Sequence, residues 1–202
     1  MKKVSIFLLV VVCFSACYKP DDPPSHEYHI TGRVLAYGTN EPVAGARVWV
    51  NDCTGTTQIG DPCVFLTVAT DTTDAEGRYE MYATGTGLQV GAAKANYDSR
   101  NTEKPVSSGS GERKIDIVIQ PFAWLDITIK NISGATRLNF ALDYTQNFRL
   151  AKDSTAHVFE KVEGNRNRIV ELGVYTLDGK YIRRDDTVYC PGLDTIFHRI
   201  EY

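Results

Sequence analysis

The chain has 202 residues, which is enough for one large domain or two small ones. Hydrophobic residues make up 43% and charged residues 23% of the composition, as in an ordinary folded protein. The formal net charge is −3, so the chain lacks the basic field with which proteins collect nucleic acid. We therefore expect no nucleic-acid partner.

The first residues predict an export signal over residues 1–16. Lys2 and Lys3 give a positive start, and Val4–Val12 is almost wholly apolar. This run is shorter than the roughly 20 residues that span a bilayer, and it suits the apolar region of a signal peptide. The segment Phe14-Ser15-Ala16-Cys17 resembles the lipobox of bacterial lipoproteins. A conventional signal peptide cleaved near Ala16 is the alternative.

The lipobox resemblance implies that Cys17 carries a lipid. Acyl chains such as palmitate would then hold the protein at a membrane, because two or more chains anchor far better than one. Residues 17–27 would form a flexible tether, since Tyr18–Ser25 is polar, rich in proline and unable to bury a core. We expect an exported protein anchored at the outer membrane. The sequence leaves open whether it faces the periplasm or the cell surface.

The remaining cysteines predict a disulfide. Cys53 and Cys63 are separated by a segment with Gly and Pro, and in an exported protein this spacing indicates a bond that closes a loop. Two free thiols are the alternative, and a zinc site lacks the close Cys or His pair that it would need. Cys190 then has no second cysteine to pair with. It is either a buried thiol or a link to another chain.

Period-two alternation predicts short strands between residues 28 and 121, and no segment after the signal has a helical period. Turn compositions such as Gly38–Pro42 and Asp74–Gly77 separate them. The predicted strands centre on Ile30–Val34, Ala46–Val50, Val64–Ala69, Tyr79–Ala83, Gln89–Tyr97 and Ile115–Ile119.

Three motifs in residues 28–121 resemble the carboxypeptidase regulatory-like domain. They lie at Ile30–Val34, at Asn40–Val50 with the core Pro-Val-Ala-Gly-Ala-Arg-Val, and at Thr70–Tyr79 with Thr-Asp before Gly-Arg-Tyr. The resemblance implies a transthyretin-like (prealbumin-like) β-sandwich. The residues themselves fit this fold, because Gly45 and Gly77 lie where the chain enters a strand from a tight turn and Tyr79 points to the core. The resemblance implies no activity, because the family is an accessory domain without the peptidase's zinc ligands.

Residues 122–202 predict a second β-sandwich, immunoglobulin-like or similar, for which we recognise no family. The two domains join at Gln120-Pro121 without a flexible linker, which predicts stiff coupling. Asp178-Gly179 is a hairpin signal. The predicted strands are Trp124–Lys130, Phe140–Tyr144, His157–Val162, Arg168–Thr176, Tyr181–Tyr189 and Thr195–Tyr202. The predicted fold class is therefore all-β, with two consecutive β-sandwich domains.

The sequence predicts no enzyme and no cofactor. It contains neither a nucleophile elbow, nor a phosphate-binding loop, nor a zinc-binding His-Glu-x-x-His motif. The four histidines, His26, His29, His157 and His198, stand in no catalytic spacing. The close carboxylates Asp71, Asp74 and Glu76 could hold Ca²⁺, but a plain hairpin turn explains them, so we predict no metal site.

Trp49 and Trp124 are the candidate ligand-binding residues. Each alternates with inward apolar residues, so each falls on the outer face of its strand. Exposed aromatic rings on a sandwich can stack on sugars or fill a groove of a partner. The alternative is that both tryptophans cover the domain junction or sit under a loop.

The leading hypothesis is a non-enzymatic lipoprotein of the cell envelope that binds or positions a carbohydrate or a protein, with an outer-membrane glycan or nutrient uptake system as one setting. Transthyretin-like modules recur in such systems of Bacteroidota-type proteins, so this setting rests on the resemblance. A structural subunit for adhesion or envelope assembly is the alternative. A hydrolase with a site at the domain junction is the third hypothesis.

Overall fold

A computed structural model describes residues 26–54, 63–135, 137–142, 145–148, 150–176 and 178–202. These residues form strands and no helix, so the all-β prediction is confirmed. The predicted signal and Cys17 lie outside the described residues. The strands are β1 (His26–Ala36), β2 (Arg47–Thr54), β3 (Val64–Thr72), β4 (Arg78–Gly85), β5 (Leu88–Ala93), β6 (Tyr97–Asp98), β7 (Lys104–Pro105), β8 (Gly111–Lys114), β9 (Ile117–Lys130), β10 (Arg137–Ala141), β11 (Thr145–Phe148), β12 (Thr155–Glu163), β13 (Arg166–Tyr175), β14 (Tyr181–Cys190) and β15 (Thr195–Glu201).

The first hydrophobic core lies between two sheets. In one sheet β1 pairs with β4, with β8 and with the start of β9, and the other sheet has the order β3-β2-β5-β7. Both sheets turn alternate apolar side chains inward, as half-buried strands do. The fully buried residues include Ile30, Val34, Val48, Val50, Val90 and Ile117.

The expected positions of Tyr79 in the core and of Gly77 in a tight turn are confirmed. The Tyr79 hydroxyl donates to the Ile115 carbonyl oxygen at 2.5 Å, and its burial, aided by Asp116, raises the Tyr79 pKa. Gly77 has φ +73°, and a Cβ there would stand 2.7 Å from the Val34 carbonyl oxygen. Glycine is therefore the residue that this turn requires.

β9 is shared by both halves of the molecule. Its inward residues run from Ile117 in the first core to Ile129 in the second without a break. Along one edge of β9 the pairing partner is first the end of β1 and then β12. Along the other edge it is first β6 and then β15. Pro121 lies at the position where these neighbouring strands change. Its lack of a backbone N–H therefore removes no hydrogen bond between paired strands. The predicted domain boundary between residues 121 and 122 lies inside this strand and stays a prediction.

The second core lies between the sheet β12-β9-β15 and the sheet β11-β10-β13-β14. β15 runs parallel to β9, whereas β12 runs antiparallel to it on the other side. A strand in this arrangement buries one face and presents the other to solvent. Buried members of this core include Leu125, Ile127, Leu138, Phe140, Leu172 and Ile200.

The cysteines follow the sequence prediction. Cys53 and Cys63 form a disulfide that links the end of β2 to the residue before β3, with their Cα atoms 5.4 Å apart. Cys190 is a free, buried thiol. Burial raises the pKa of this thiol, and the positive charge of Arg168 offsets part of that rise. No helix long and apolar enough to cross a membrane occurs in the part of the chain that the structure describes.

Candidate binding face

The outer side of the sheet β12-β9-β15 carries two exposed aromatic rings. Phe159 on β12 and Phe197 on β15 are each paired with Asp126 on the central strand β9. Residues that are directly paired across strands point to the same face of a sheet. Phe159, Asp126 and Phe197 therefore form one row, with the carboxylate between the two rings.

The alternation of each strand explains why these side chains point outward. Val158 and Val162 on β12 and Ile200 on β15 are buried in the second core, so the neighbouring odd-numbered positions face solvent. Phe159 is 62% exposed and Phe197 is 78% exposed. Burial therefore does not explain why these two positions hold large apolar residues.

Adjacent rows complete the surface. Trp124 is paired with Lys161 on one side and Thr195 on the other, and Thr128 is paired with His157 and Arg199. Trp124 is half-buried and lies on the same outer face as Asp126. We name this surface the aromatic face and define it by Trp124, Asp126, His157, Phe159, Lys161, Phe197 and Arg199.

The cations of the aromatic face already have partners. The Lys161 ammonium lies 3.7 Å from the centroid of the Phe122 ring, which is a cation–π contact. The Arg199 guanidinium pairs with Glu201 at 2.5 Å. Within the described residues, no hydrogen bond or ion pair reaches the Asp126 carboxylate. Asp126 thus offers a free hydrogen-bond acceptor between the two rings.

The two predicted tryptophans are not brought together. Trp49 lies on β2, in the sheet opposite β9, and it is paired with Gly91 of β5. A Cβ at Gly91 would stand 2.7 Å from the Trp49 ring, so the indole covers the glycine backbone. Trp49 is therefore accounted for by packing, whereas Trp124 lies on the aromatic face. A ligand role for either tryptophan stays a prediction.

The histidines with described side chains each have a local partner. His29 Nε2 lies 2.7 Å from a Glu80 carboxylate oxygen, His157 Nδ1 lies 3.3 Å from the Thr128 hydroxyl, and His198 Nε2 lies 3.3 Å from Asp186. No group of His, Cys, Asp and Glu side chains suited to a metal occurs among the described residues. The Asp74 carboxylate accepts the backbone N–H groups of Glu76 and Arg78, which fits a plain turn.

Sequence reasoning missed Asp126, Phe159 and Phe197. The signal was present within each strand, because Phe159 stands between inward Val158 and half-buried Glu160, and Phe197 alternates with Ile196 and His198. The row itself depends on the pairing of three strands that are far apart in the chain. That register could not be read from any one segment.

Comparisons with known proteins give structural likeness only. No protein-family model matches the chain, and no curated protein matches it. A DUF3823 family protein from Parabacteroides merdae is 12% identical with a TM-score of 0.33, over 84% of this chain and 100% of that chain. A streptococcal ancillary pilin is 11% identical with a TM-score of 0.37, over 86% of this chain and 62% of that chain. The Bacillus anthracis TIE protein is 8% identical with a TM-score of 0.38, over 87% of this chain and 34% of that chain. Likenesses this distant assign no function.

Proposed function

We propose that this chain is a non-enzymatic, lipid-anchored module of the cell envelope that binds glycan through the aromatic face. The row of Phe159, Asp126 and Phe197 is the observation that carries the proposal. Exposed aromatic rings present apolar surfaces on which the C–H faces of a sugar ring can stack. A carboxylate between them accepts hydrogen bonds from sugar hydroxyls, and charged acceptors make the stronger bonds.

The geometry of the row suits a rigid sugar. Phe159 and Phe197 stand on the two strands that flank β9, so their backbones are about 10 Å apart, which is two inter-strand spacings. Both rings project from paired strands rather than from loops. Groups held on strands are better preorganised for binding than groups on loops, because less ordering entropy is lost.

Several features support a place in the cell envelope. The Cys53–Cys63 disulfide is typical of exported proteins, since reducing compartments keep such thiols free. The signal over residues 1–16, the lipid at Cys17 and the outer-membrane location remain proposals that rest on the sequence. They predict that the protein is labelled by a palmitate analogue in cells and that Cys17→Ala abolishes the label.

The binding test uses the processed protein and a panel of neutral oligosaccharides in calorimetric titrations. The double variant Phe159→Ala/Phe197→Ala should lose at least about tenfold in affinity, because each stacked ring contributes on the order of 1 kcal/mol. Its unfolding midpoint should stay unchanged, since both rings are largely exposed. Wild-type protein that binds no member of the panel, or a double variant that binds as wild type, would contradict the proposal.

A second candidate is a structural subunit of an envelope assembly, and β3 favours it. Within the described residues β3 pairs only with β2, so its outer edge is open. It also exposes four apolar side chains, and open apolar edges pair with strands of other chains. These are Val64, Phe65, Leu66 and Val68. A fixed protein cross-link in cells that persists in the Phe159→Ala/Phe197→Ala variant would favour this candidate over glycan binding.

A further inference from the structure

A polar cleft lies beside the point where the two cores meet. It has a volume of about 420 Å³, and its walls include Tyr37, Asp98, Arg100, Asn101, Gln120 and Glu163. Tyr37 follows the end of β1, and Gln120 lies on β9. The cleft therefore opens on the strand that both halves share.

The cleft and the aromatic face lie on the same side of β9. Gln120, Trp124 and Asp126 are all even-numbered, and the odd-numbered residues of β9 are buried. An extended strand advances about 3.3 Å per residue, so Gln120 and Asp126 are about 20 Å apart. Phe122, whose ring lies under the Lys161 ammonium, and Trp124 occupy the outward positions between them.

The walls of the cleft are held in place by contacts across the junction. The Tyr37 carbonyl oxygen accepts from the Asn165 amide at 2.8 Å, and the Arg166 guanidinium lies 5.8 Å from the centroid of the Tyr37 ring. The Gln120 amide donates to the Gly164 carbonyl oxygen. Tyr37 itself remains 44% exposed. The cleft thus presents an exposed aromatic ring whose position is fixed by contacts with neighbouring residues, as the aromatic face presents rings fixed on paired strands.

The charges in the cleft compensate each other. Arg100 pairs with Asp98 at 2.5 Å, and this guanidinium lowers the pKa of the Asp98 carboxyl. Glu163 pairs with Arg166 at 2.5 Å. On the aromatic face Arg199 is paired with Glu201, and the Lys161 ammonium, which lies over the Phe122 ring, is balanced in number by the Asp126 carboxylate. The described residues of the two surfaces therefore carry no net positive charge that would favour an anion. The free Asp126 carboxylate would repel a polyanion and accept from hydroxyl groups.

We propose that the cleft and the aromatic face form one binding track along β9, and that its ligand is a linear, uncharged oligosaccharide long enough to occupy both. This inference rests on the proposed glycan binding and deepens it. A ligand that reaches both ends gains the second contact without a second loss of translational freedom, so affinity rises with chain length. The rise stops once the oligosaccharide spans the distance of about 20 Å between Gln120 and Asp126.

The test is a titration of the processed protein with a length series of one neutral oligosaccharide, from disaccharide to octasaccharide. Tyr37→Ala should lower the affinity for the longest members about five- to tenfold and leave the disaccharide unaffected, because one stacking ring is lost at the far end. Phe159→Ala should lower the affinity for every length. Thr84→Ala, an exposed change on β4 away from the track, is the matched control.

The outcomes separate this inference from the proposed function. If affinity does not depend on length, and Tyr37→Ala binds every member as wild type does, the track is wrong while glycan binding stands. If a polyuronic acid binds more tightly than its neutral counterpart, the uncharged ligand is wrong. If no oligosaccharide binds, both proposals fail. A spin label at one end of a long oligosaccharide gives a second measurement, and it should broaden the backbone amide signal of Asn101 or of Phe197.

Discussion

The outer faces of the two halves carry equally exposed aromatic rings with different surroundings. Tyr82 in the first half and Phe159 in the second are both 62% exposed. The Tyr82 ring stacks on His29 with centroids 4.6 Å apart and an interplanar angle of 6°, and its hydroxyl donates to Glu80. Among the described residues, Phe159 has no ring neighbour. Exposure alone therefore does not identify a binding ring, and the contacts of the ring decide whether its face is free.

The halves also differ in the interactions that stabilise them. The first half has a covalent link between β2 and β3, whereas the second is held by packing around buried residues such as Ile127. The two share β9, so a change in either core should be felt in both. Trp49 and Trp124 provide one fluorescent reporter in each half.

The largest expected effect comes from truncating the second core at the shared strand. Ile127→Ala should lower the free energy of unfolding by about 2–5 kcal/mol, because a fully buried side chain leaves a cavity. Denaturant titrations of Trp49→Phe and Trp124→Phe backgrounds follow one half at a time, and both midpoints should shift together. Thr128→Ala, on the outer face of β9, is the control. A shift confined to the Trp124 signal would mean that the halves unfold separately.

Opening the covalent link in the first half should have the next largest effect. Cys53→Ser/Cys63→Ser should lower the free energy of unfolding by about 3 kcal/mol, since the bond restricts the unfolded chain. The measurement is a denaturant titration of wild type with and without a thiol reductant. The double variant is the control, because its stability should not respond to the reductant. Equal stability of reduced and oxidised wild type would contradict the prediction.

The smallest effect tests the comparison of the two rings directly. Tyr82→Ala should leave glycan affinity within about twofold of wild type, although it removes a stacked pair that contributes about 0.5–1.5 kcal/mol. Phe159→Ala, at a position of equal exposure, should weaken binding with little change in stability. Titration and thermal unfolding of both variants check the contrast. A Tyr82→Ala variant that loses binding would place the site on the first half instead.

Much of the fold could be predicted from the sequence because strand period is local. The alternation of Tyr79, Met81 and Ala83 predicts β4, and that of Leu125, Ile127 and Ile129 predicts the end of β9. The disulfide could be predicted from spacing and export. The sequence places a domain boundary at Pro121, and the single strand β9 runs through that residue. A proline is compatible with a continuous strand when its neighbours change at that residue, and this depends on partners from distant parts of the chain.

The candidate site was harder to predict for the same physical reason. The outward position of Trp124 follows from its own strand, but its neighbours come from β12 and β15. Nothing in the sequence indicates that β15 runs parallel to β9 and places Phe197 beside Asp126. The role of Trp49 also depends on a neighbouring strand, because only its pairing with Gly91 shows that the indole covers backbone. Side-chain direction is encoded locally, whereas the composition of a surface is encoded by register.

The direction of β1 sets the height of the aromatic face above an anchored N-terminus. β1 has 11 residues, so about 36 Å separate its start from the junction at the end of the strand. β9 runs parallel to β1 and carries the chain onward in the same direction. Asp126 lies about 23 Å beyond Ile119, the last residue paired with β1. With Cys17 lipidated as proposed, the first half would be a rigid stalk that holds the rings roughly 60 Å beyond the tether, within reach of polymers that stand away from the bilayer.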